Sequence, residues 1–378
     1  MQAIQVIRFL TVLCRRGGYP YWAYDSFARA NADALGTTEA RGPLGLVRRR
    51  FAWTTIGGDL DISGGTVVGG DAQANVVPNP GFETGGTGGT FNGGAEVDDG
   101  VSDNFDSWTE TNVNDGAGDK VEATATMHGG NYAVKITSTI VYCYPRQNPI
   151  AGAVAGQLYD FAFWQRGNAT VNGWVTLRSG GDVLVNKGTG YKGAVYTLFR
   201  YIVAASTGTT TFDLLVRQDA TGGIVYFDDV AITPCHAEYI DPGQADVVYR
   251  ADLTTPAAGA NPAGLILRRN GATQWLVQMT PGTAGTDFEL IELNNGAPIS
   301  RASADRDFAI NTIYHIAVAL TGQSIIVYED GVQRLSYATA AVGLTNTQFG
   351  IWDSAAANFE FDNVEITEYG RYPHAGGY

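Results

Sequence analysis

Six residues between positions 142 and 217 carry the side chains best suited to hold a ligand. Tyr142 and Tyr144 stand two apart, which puts them on one face of an extended run. Trp164 and Arg166 share a face in the same way, opposite to Phe161 and Phe163, and Trp174 and Arg217 lie on runs of similar character. An aromatic face covers the apolar C–H side of a pyranose, and planar hydrogen-bonding groups read its hydroxyls. In a groove or on a concave sheet this set points to sugar binding. The competing use of such rings is the interior of a sandwich, where Trp108 is expected.

Other chemistries find little support. The four histidines (128, 236, 315 and 374) lack metal-ligand spacing, and there is no Gly-x-Ser-x-Gly or His-Glu-x-x-His stretch. Gly188-Thr189-Gly190-Tyr191-Lys192-Gly193 matches Gly-x-Gly-x-x-Gly in form, but it lies between β runs with no helix to turn a dipole on a phosphate, so a strand-connecting loop is expected. Glycoside hydrolysis needs two opposed carboxyls at a defined separation. Asp98-Asp99, adjacent in a Gly-rich stretch, are expected to face solvent. The chain reads as a non-enzyme.

The elements that must position the six residues are strands. Of 378 residues 49 are Gly and only 16% are charged, against about 25% in an average globular protein. Lysine occurs only at 120, 135, 187 and 192, so long amphipathic helices are excluded. From about residue 120 short alternating runs recur between Gly, Asn and Asp, including Tyr132-Val134-Ile136, Tyr159-Phe161-Phe163 and Thr211 to Val216. Ile325 to Tyr328 and Val332 to Tyr337, joined by Glu329-Asp330-Gly331, read as a hairpin, and Asn294-Asn295-Gly296 marks a second. The fold class expected is all-β, built of antiparallel sandwiches.

An internal echo marks two sandwich ends. Phe227-Asp228-Asp229-Val230-Ala231-Ile232-Thr233 returns as Phe361-Asp362-Asn363-Val364-Glu365-Ile366-Thr367. Simple alternation puts Asp228, Val230 and Ile232 on one face, and Asp362, Val364 and Ile366 likewise. Each Asp then needs a partner, either backbone N–H groups to cap or a cation.

Charge and cysteines bound the partners. The net charge is −14, yet residues 1 to 53 hold eight Arg against Asp25, Asp33 and Glu39, and the remainder carries 16 basic against 35 acidic residues. Wrapping of nucleic acid is not expected on so acidic a surface, and Arg48-Arg49-Arg50 is read as a solvated loop or a contact with acidic surface. No apolar run approaches the ~20 residues of a membrane span, so no membrane insertion is expected. Ile4 to Cys14 is interrupted by Arg8 and followed by Arg15-Arg16, which does not read as an export signal. Cys14, Cys143 and Cys235 are too few for a disulfide framework; a Cys143–Cys235 bridge and buried free thiols both remain open.

Two resemblances organise the chain. Asn75-Val76-Val77-Pro78-Asn79-Pro80-Gly81-Phe82-Glu83-Thr84 resembles the opening strand of carbohydrate-binding modules attached to glycanases. Trp108, Gly129 to Ile136, Gly156-Gln157-Leu158-Tyr159 with Phe161 to Trp164, and Tyr226 to Val230 come in that family's order. The flanks resemble a concanavalin-like or laminin-G-like jelly roll. Asp25 to Ala30, Phe51 to Thr54 and Leu60 to Gly65 look like its first strands, and Asp246 to Leu253, Ala263 to Arg268, Trp275 to Met279, Tyr314 to Val318 and Phe349 to Trp352 look like its continuation.

The organisation expected is therefore a docking arm over 1–24, a jelly roll over 25–74 plus 236–370, a carbohydrate-module-like sandwich over 75–235 inserted in one of its loops, and a tail over 371–378. An insert whose ends are neighbours interrupts an exposed loop at little closure cost. The first resemblance implies a stabilising calcium ion near Glu83 and Asp228. Tyr19, Tyr21, Trp22 and Tyr24 give the arm an aromatic character suited to pairing with another subunit. The function expected is a structural adhesion protein displayed on a virion surface, a bacteriophage capsid or tail component that binds a cell-surface or extracellular glycan. The alternative is an extracellular glycan-binding module of a secreted polysaccharide-processing system.

Overall fold

The computed structural model describes residues 23–27, 32, 35–38, 51–56, 58, 60–63, 66–85, 102–140, 142–256, 261–281, 287–355 and 359–368. Of the 1–24 arm, Ala23 and Tyr24 fall among them. Arg48-Arg49-Arg50, Asp98-Asp99, Cys14 and the 371–378 tail lie outside the described residues.

More than half of the described residues are strand, the one helical turn among them is a single 3-10 turn over Asp115–Ala117, and the pairings between strands are antiparallel. Ahead of residue 75 come β1 (Ala23–Asp25), β2 (Thr54–Thr55), β3 (Leu60–Ser63) and β4 (Thr66–Gly69). The middle segment holds β5 (Thr109–Thr111), β6 (Lys120–Thr124), β7 (Ala133–Ser138), β8 (Tyr144–Ala151), β9 (Leu158–Gly167), β10 (Gly173–Ser179), β11 (Asp182–Gly188), β12 (Thr197–Ala204), β13 (Thr211–Gln218) and β14 (Gly223–Pro234). Next along the chain are β15 (His236–Ile240), β16 (Val247–Thr254), β17 (Ala263–Asn270), β18 (Thr273–Met279), β19 (Phe288–Asn294) and β20 (Ala297–Ala304). The chain continues through β21 (Ile313–Thr321), β22 (Ser324–Glu329), β23 (Val332–Tyr337), β24 (Gln348–Asp353) and β25 (Glu360–Glu368). No helix among the described residues is long and apolar enough to cross a membrane.

Four sheets result. The eight-stranded sheet runs β23-β22-β21-β16-β25-β4-β3, with β1 also on β25, and the seven-stranded sheet runs β2-β15-β24-β17-β18-β19-β20. Both draw strands from the two ends of the chain. Phe27, Leu60, Ile62 and Val67 share one buried cluster with Tyr249, Trp275, Val318 and Ile366. The two five-stranded sheets, β11-β10-β13-β8-β5 and β12-β9-β14-β7-β6, use the middle segment alone. The alternating rings Tyr159, Phe161 and Phe163 fill their shared core with Val134, Ile136 and Phe227.

The ends of the middle segment lie side by side. Val76 N donates to Ile232 O at 3.0 Å, and Asn75 Oδ1 accepts from Val77 N at 3.0 Å and Ile232 N at 2.9 Å. A third buried cluster joins the two sheet pairs, setting Leu158, Ile202, Ala204 and Cys235 against Ile266, Leu276, Ile291 and Trp352. The Leu and Ile side chains among them stabilise by about 1.5–3 kcal/mol each when fully buried. The seven-stranded sheet is thus apolar on both faces, with Leu265, Leu267, Trp275 and Val277 in one core and Ile266 and Leu276 in the other. The Asn295-Gly296 turn, with φ of 49° and 90°, projects from it onto the middle segment, where Ala204 N donates to Gly296 O at 3.1 Å.

One expectation is corrected and one open alternative is decided. Simple alternation fails at both copies of the echo. Asp229 and Asn363 adopt φ of 46° and 49°, and the strand register shifts there, between Asp228 and Ala231 in β14 and beside Asp362 in β25. The extra residue of each bulge reverses the parity of the strand beyond it. Phe227 joins Val230 and Ile232 in the core, as Phe361 joins Val364 and Ile366. The Asp of each pair stabilises the turn directly, since Asp228 Oδ1 accepts from Asp229 N and Asp362 Oδ1 from Asn363 N. Cys143 and Cys235, for their part, are both buried free thiols. Cys143 sits in the core of the middle segment and Cys235 in the cluster joining it to the flanks, so packing separates them.

Candidate functional site

The site is built on β8, β10, β11 and β13 of one five-stranded sheet. In β13 the inward residues Phe212, Leu214 and Val216 are buried, which turns Asp213, Leu215 and Arg217 outward. Cross-strand register sets Trp174 of β10 opposite Arg217, and Arg178 opposite Asp213. The Arg217 guanidinium lies 4.4 Å from the Tyr142 ring centroid and 4.9 Å from that of Trp174. Three of the six residues singled out from the sequence therefore form one row, ring, cation, ring, although they come from distant parts of the segment.

Each member is held. Tyr142 is 40% exposed, and its hydroxyl donates to Asp219 O at 3.2 Å. Trp174 Nε1 donates to Asn186 Oδ1 at 2.9 Å, and Thr176 Oγ1 donates to the same oxygen at 2.9 Å. A glycine beneath the ring makes room for it, because a Cβ on Gly188 would lie 3.3 Å from Trp174 Cε3. Arg217 donates to Gln218 O at 2.7 Å and forms no ion pair with a described residue. Next to the row, Arg146 is bidentate on Asp213, with both bonds at 2.7 Å, and that carboxylate holds the Arg146 pKa up. Arg146 is thereby neutralised and Arg217 keeps its positive charge. The face offers an aromatic surface, a planar donor and an amide at its edge, which is the equipment for stacking on a sugar ring and donating to its oxygens.

The other three residues divide differently. Tyr144 opens β8 on the same sheet, and although Tyr142 precedes the strand, exposed Tyr142, buried Cys143 and half-buried Tyr144 keep the alternation that turns both tyrosines to one side. The chain enters β8 only after Cys143, which is anchored inside by its contacts with Ser138, Thr137 and Lys120. Trp164 and Arg166 lie on β9 in the opposite sheet. His128 stacks on Trp164 at 3.6 Å with 14° between the planes, covering one face of that ring, and Arg166 lies 5.2 Å from the Tyr226 centroid. Trp108 is core, 4.6 Å from Phe82 with Nε1 donating to Asn79 O.

Asn186, Thr176 and Arg178 complete the face without having been singled out in the sequence. Their outward direction is a consequence of the alternation of β10 and β11, but the adjacency of Asn186 to Trp174 depends on the hairpin register.

Glu83 and Asp228 face backbone donors. Glu83 accepts from Asn131 N at 2.9 Å through both oxygens and from Tyr132 N at 3.3 Å. Asp228 Oδ2 accepts from His128 N at 2.7 Å and Gly129 N at 3.1 Å. Burial, against these hydrogen bonds, pushes the Asp228 pKa up to about 6. Among the described residues no group of three or more His, Cys, Asp or Glu is arranged to hold a metal ion. Both carboxylates are turned to backbone N–H groups, the capping arrangement.

No family model matches this chain, and no curated protein matches it. Solved structures similar to it include the carbohydrate-binding module CBM66 from Bacillus subtilis, at 18% identity over 36% of this chain and 86% of that one, with a TM-score of 0.30. The N-terminal CBM22-1-CBM22-2 tandem domain of Paenibacillus barcinonensis Xyn10C is 11% identical over 80% of this chain and 99% of that one, with a TM-score of 0.32. Domain 4 of AbnA, an extracellular GH43 arabinanase from Geobacillus stearothermophilus, is 11% identical over 52% of this chain and 82% of that one, with a TM-score of 0.26. At these TM-scores none of the likenesses bears on what the sheet face does.

Proposed function

We propose that this chain binds a glycan, without catalysis, on the outer face of the β11-β10-β13-β8-β5 sheet. The observation that carries the reading is the Tyr142–Arg217–Trp174 row, two half-open rings locked about one guanidinium that no described carboxylate pairs. The row is pre-organised by hydrogen bonds at both ends, which lowers the ordering cost of binding.

The test is a glycan array and then titration calorimetry on Trp174→Ala and Arg217→Met. A central aromatic anchor costs about 2 kcal/mol or more when truncated, roughly a thirtyfold loss of affinity. Retention of wild-type affinity in both variants refutes the reading.

The same reading includes display on a virion surface, with residues 1–24 as the docking arm; the aromatic composition of that stretch supports it. The extracellular accessory module is the alternative. Deleting residues 1–22 and imaging the assembly by electron microscopy separates them, since a docking arm is required for incorporation and an accessory module has no assembly to lose.

A further inference from the structure

A groove of about 660 Å³ runs between the middle segment and the outer face of the seven-stranded sheet. Asn186 and Lys187 of β11 and Leu198 of β12 line one side, and Glu289 of β19 and Ser300 of β20 line the other. Asn186 belongs to both places, since it lines the groove and also accepts the Trp174 Nε1 hydrogen bond. The groove therefore begins where the ring row ends.

Its chemistry is that of a site for hydroxyl groups. Glu289 Oε1 accepts from Ser300 Oγ at 2.8 Å, and the second oxygen takes no hydrogen bond from a described residue. Burial raises the pKa of Glu289, with Lys187 opposing the shift across the gap. Arg200, which also lines the groove, is paired with Asp160 at 3.1 Å. Leu198 is 37% exposed and supplies an apolar wall. The lining carries Lys187 and Arg200 against Asp287 and Glu289, so the groove has no net positive charge to attract an acidic chain. It does have a carboxylate oxygen, an amide and a hydroxyl in reach of a polyhydroxylated one.

We infer that this groove is a second segment of the binding site, taking a neutral oligosaccharide that stacks on Trp174 and continues past Asn186 between the two sheet pairs. The inference rests on the ring-row reading above. Glu289 accepts hydrogen bonds from ligand hydroxyls and Leu198 packs against a sugar face. Binding then depends on chain length, and the longer ligands need both sheet pairs in place.

The experiment uses the full chain against neutral xylo-, cello- and manno-oligosaccharides of graded length and against oligogalacturonates, by titration calorimetry. Long neutral chains are expected to bind about tenfold more tightly than di- and trisaccharides. Glu289→Gln and Leu198→Ala, both conservative at partly exposed positions, are expected to remove that gain and leave the short chains unchanged. Trp174→Ala is expected to weaken all lengths. A length gain that survives Glu289→Gln and Leu198→Ala overturns the inference, as does preference for the acidic chains. Short chains binding with no length gain refute the groove alone, whereas failure to bind any of these chains removes the ring row as well.

Discussion

Replacing Gly296 by alanine probes the contact that closes the groove. The residue sits at φ 90°, and a Cβ there would lie 2.0 Å from Ala204 O and 3.0 Å from Leu184 Cδ2, so the hairpin tip must withdraw. Withdrawal forfeits the Ala204 N to Gly296 O bond at 3.1 Å and the Asn295 Nδ2 to Asp182 Oδ2 bond at 2.7 Å, at about 1 kcal/mol each. A left-handed backbone costs alanine a further ~1–2 kcal/mol. The expected loss is roughly 3–4 kcal/mol, a Tm lower by about 10 °C at ~2–4 °C per kcal/mol. Gly322→Ala is the matched control, because Gly322 has φ 50° and no atom within 4 Å of an added Cβ, so it carries the backbone cost alone. Scanning calorimetry and urea titration of both variants give the comparison. If Gly296→Ala costs no more than Gly322→Ala, the hairpin tip is not docked and the groove has no fixed wall.

Asn75→Ala removes the acceptor for Val77 N and Ile232 N and the donor to Val230 O, and should cost about 2–3 kcal/mol in urea titration; a loss under about 0.5 kcal/mol would show that the ends of the middle segment do not depend on it. Burial holds the Asp160 pKa near 6, with Arg200 opposing, well above the ordinary 3.8. The folded state thus keeps a proton that the unfolded chain releases, and this contribution is complete below about pH 4 and lost as pH rises through 6. It amounts to roughly 3 kcal/mol, and Asp160→Asn should remove that slope from the stability profile; parallel profiles for the two proteins would contradict it. Cys143 and Cys235 should resist alkylation until the chain unfolds, and a Cys143–Cys235 linked peptide in a non-reducing digest would disprove their free state.

Local pattern carried much of the architecture. Alternation in Tyr159-Phe161-Phe163, and Asp330-Gly331 and Asn295-Gly296 between apolar runs, identify strands and tight turns because side-chain direction and positive φ are properties of two or three residues at a time. The unbroken runs Leu265-Ile266-Leu267 and Trp275-Leu276-Val277 also held a signal, that of a sheet covered on both faces. Parity failed at Asp229 and Asn363, where one extra residue per strand is invisible to a period of two.

Composition and alternation define an all-β chain and supply residue types able to meet a sugar. Which of them come together depends on the packing of strands distant in the chain. Trp174 and Arg217 are far apart along the chain and become partners because β10 pairs with β13, while Trp164, equally suitable in type, lies in the other five-stranded sheet and stacks with His128. The groove beside them belongs to no single stretch of chain. Sheet order and the docking of one sheet pair on another are settled by which apolar faces bury each other across long separations, and a periodicity read along the chain contains no term for that.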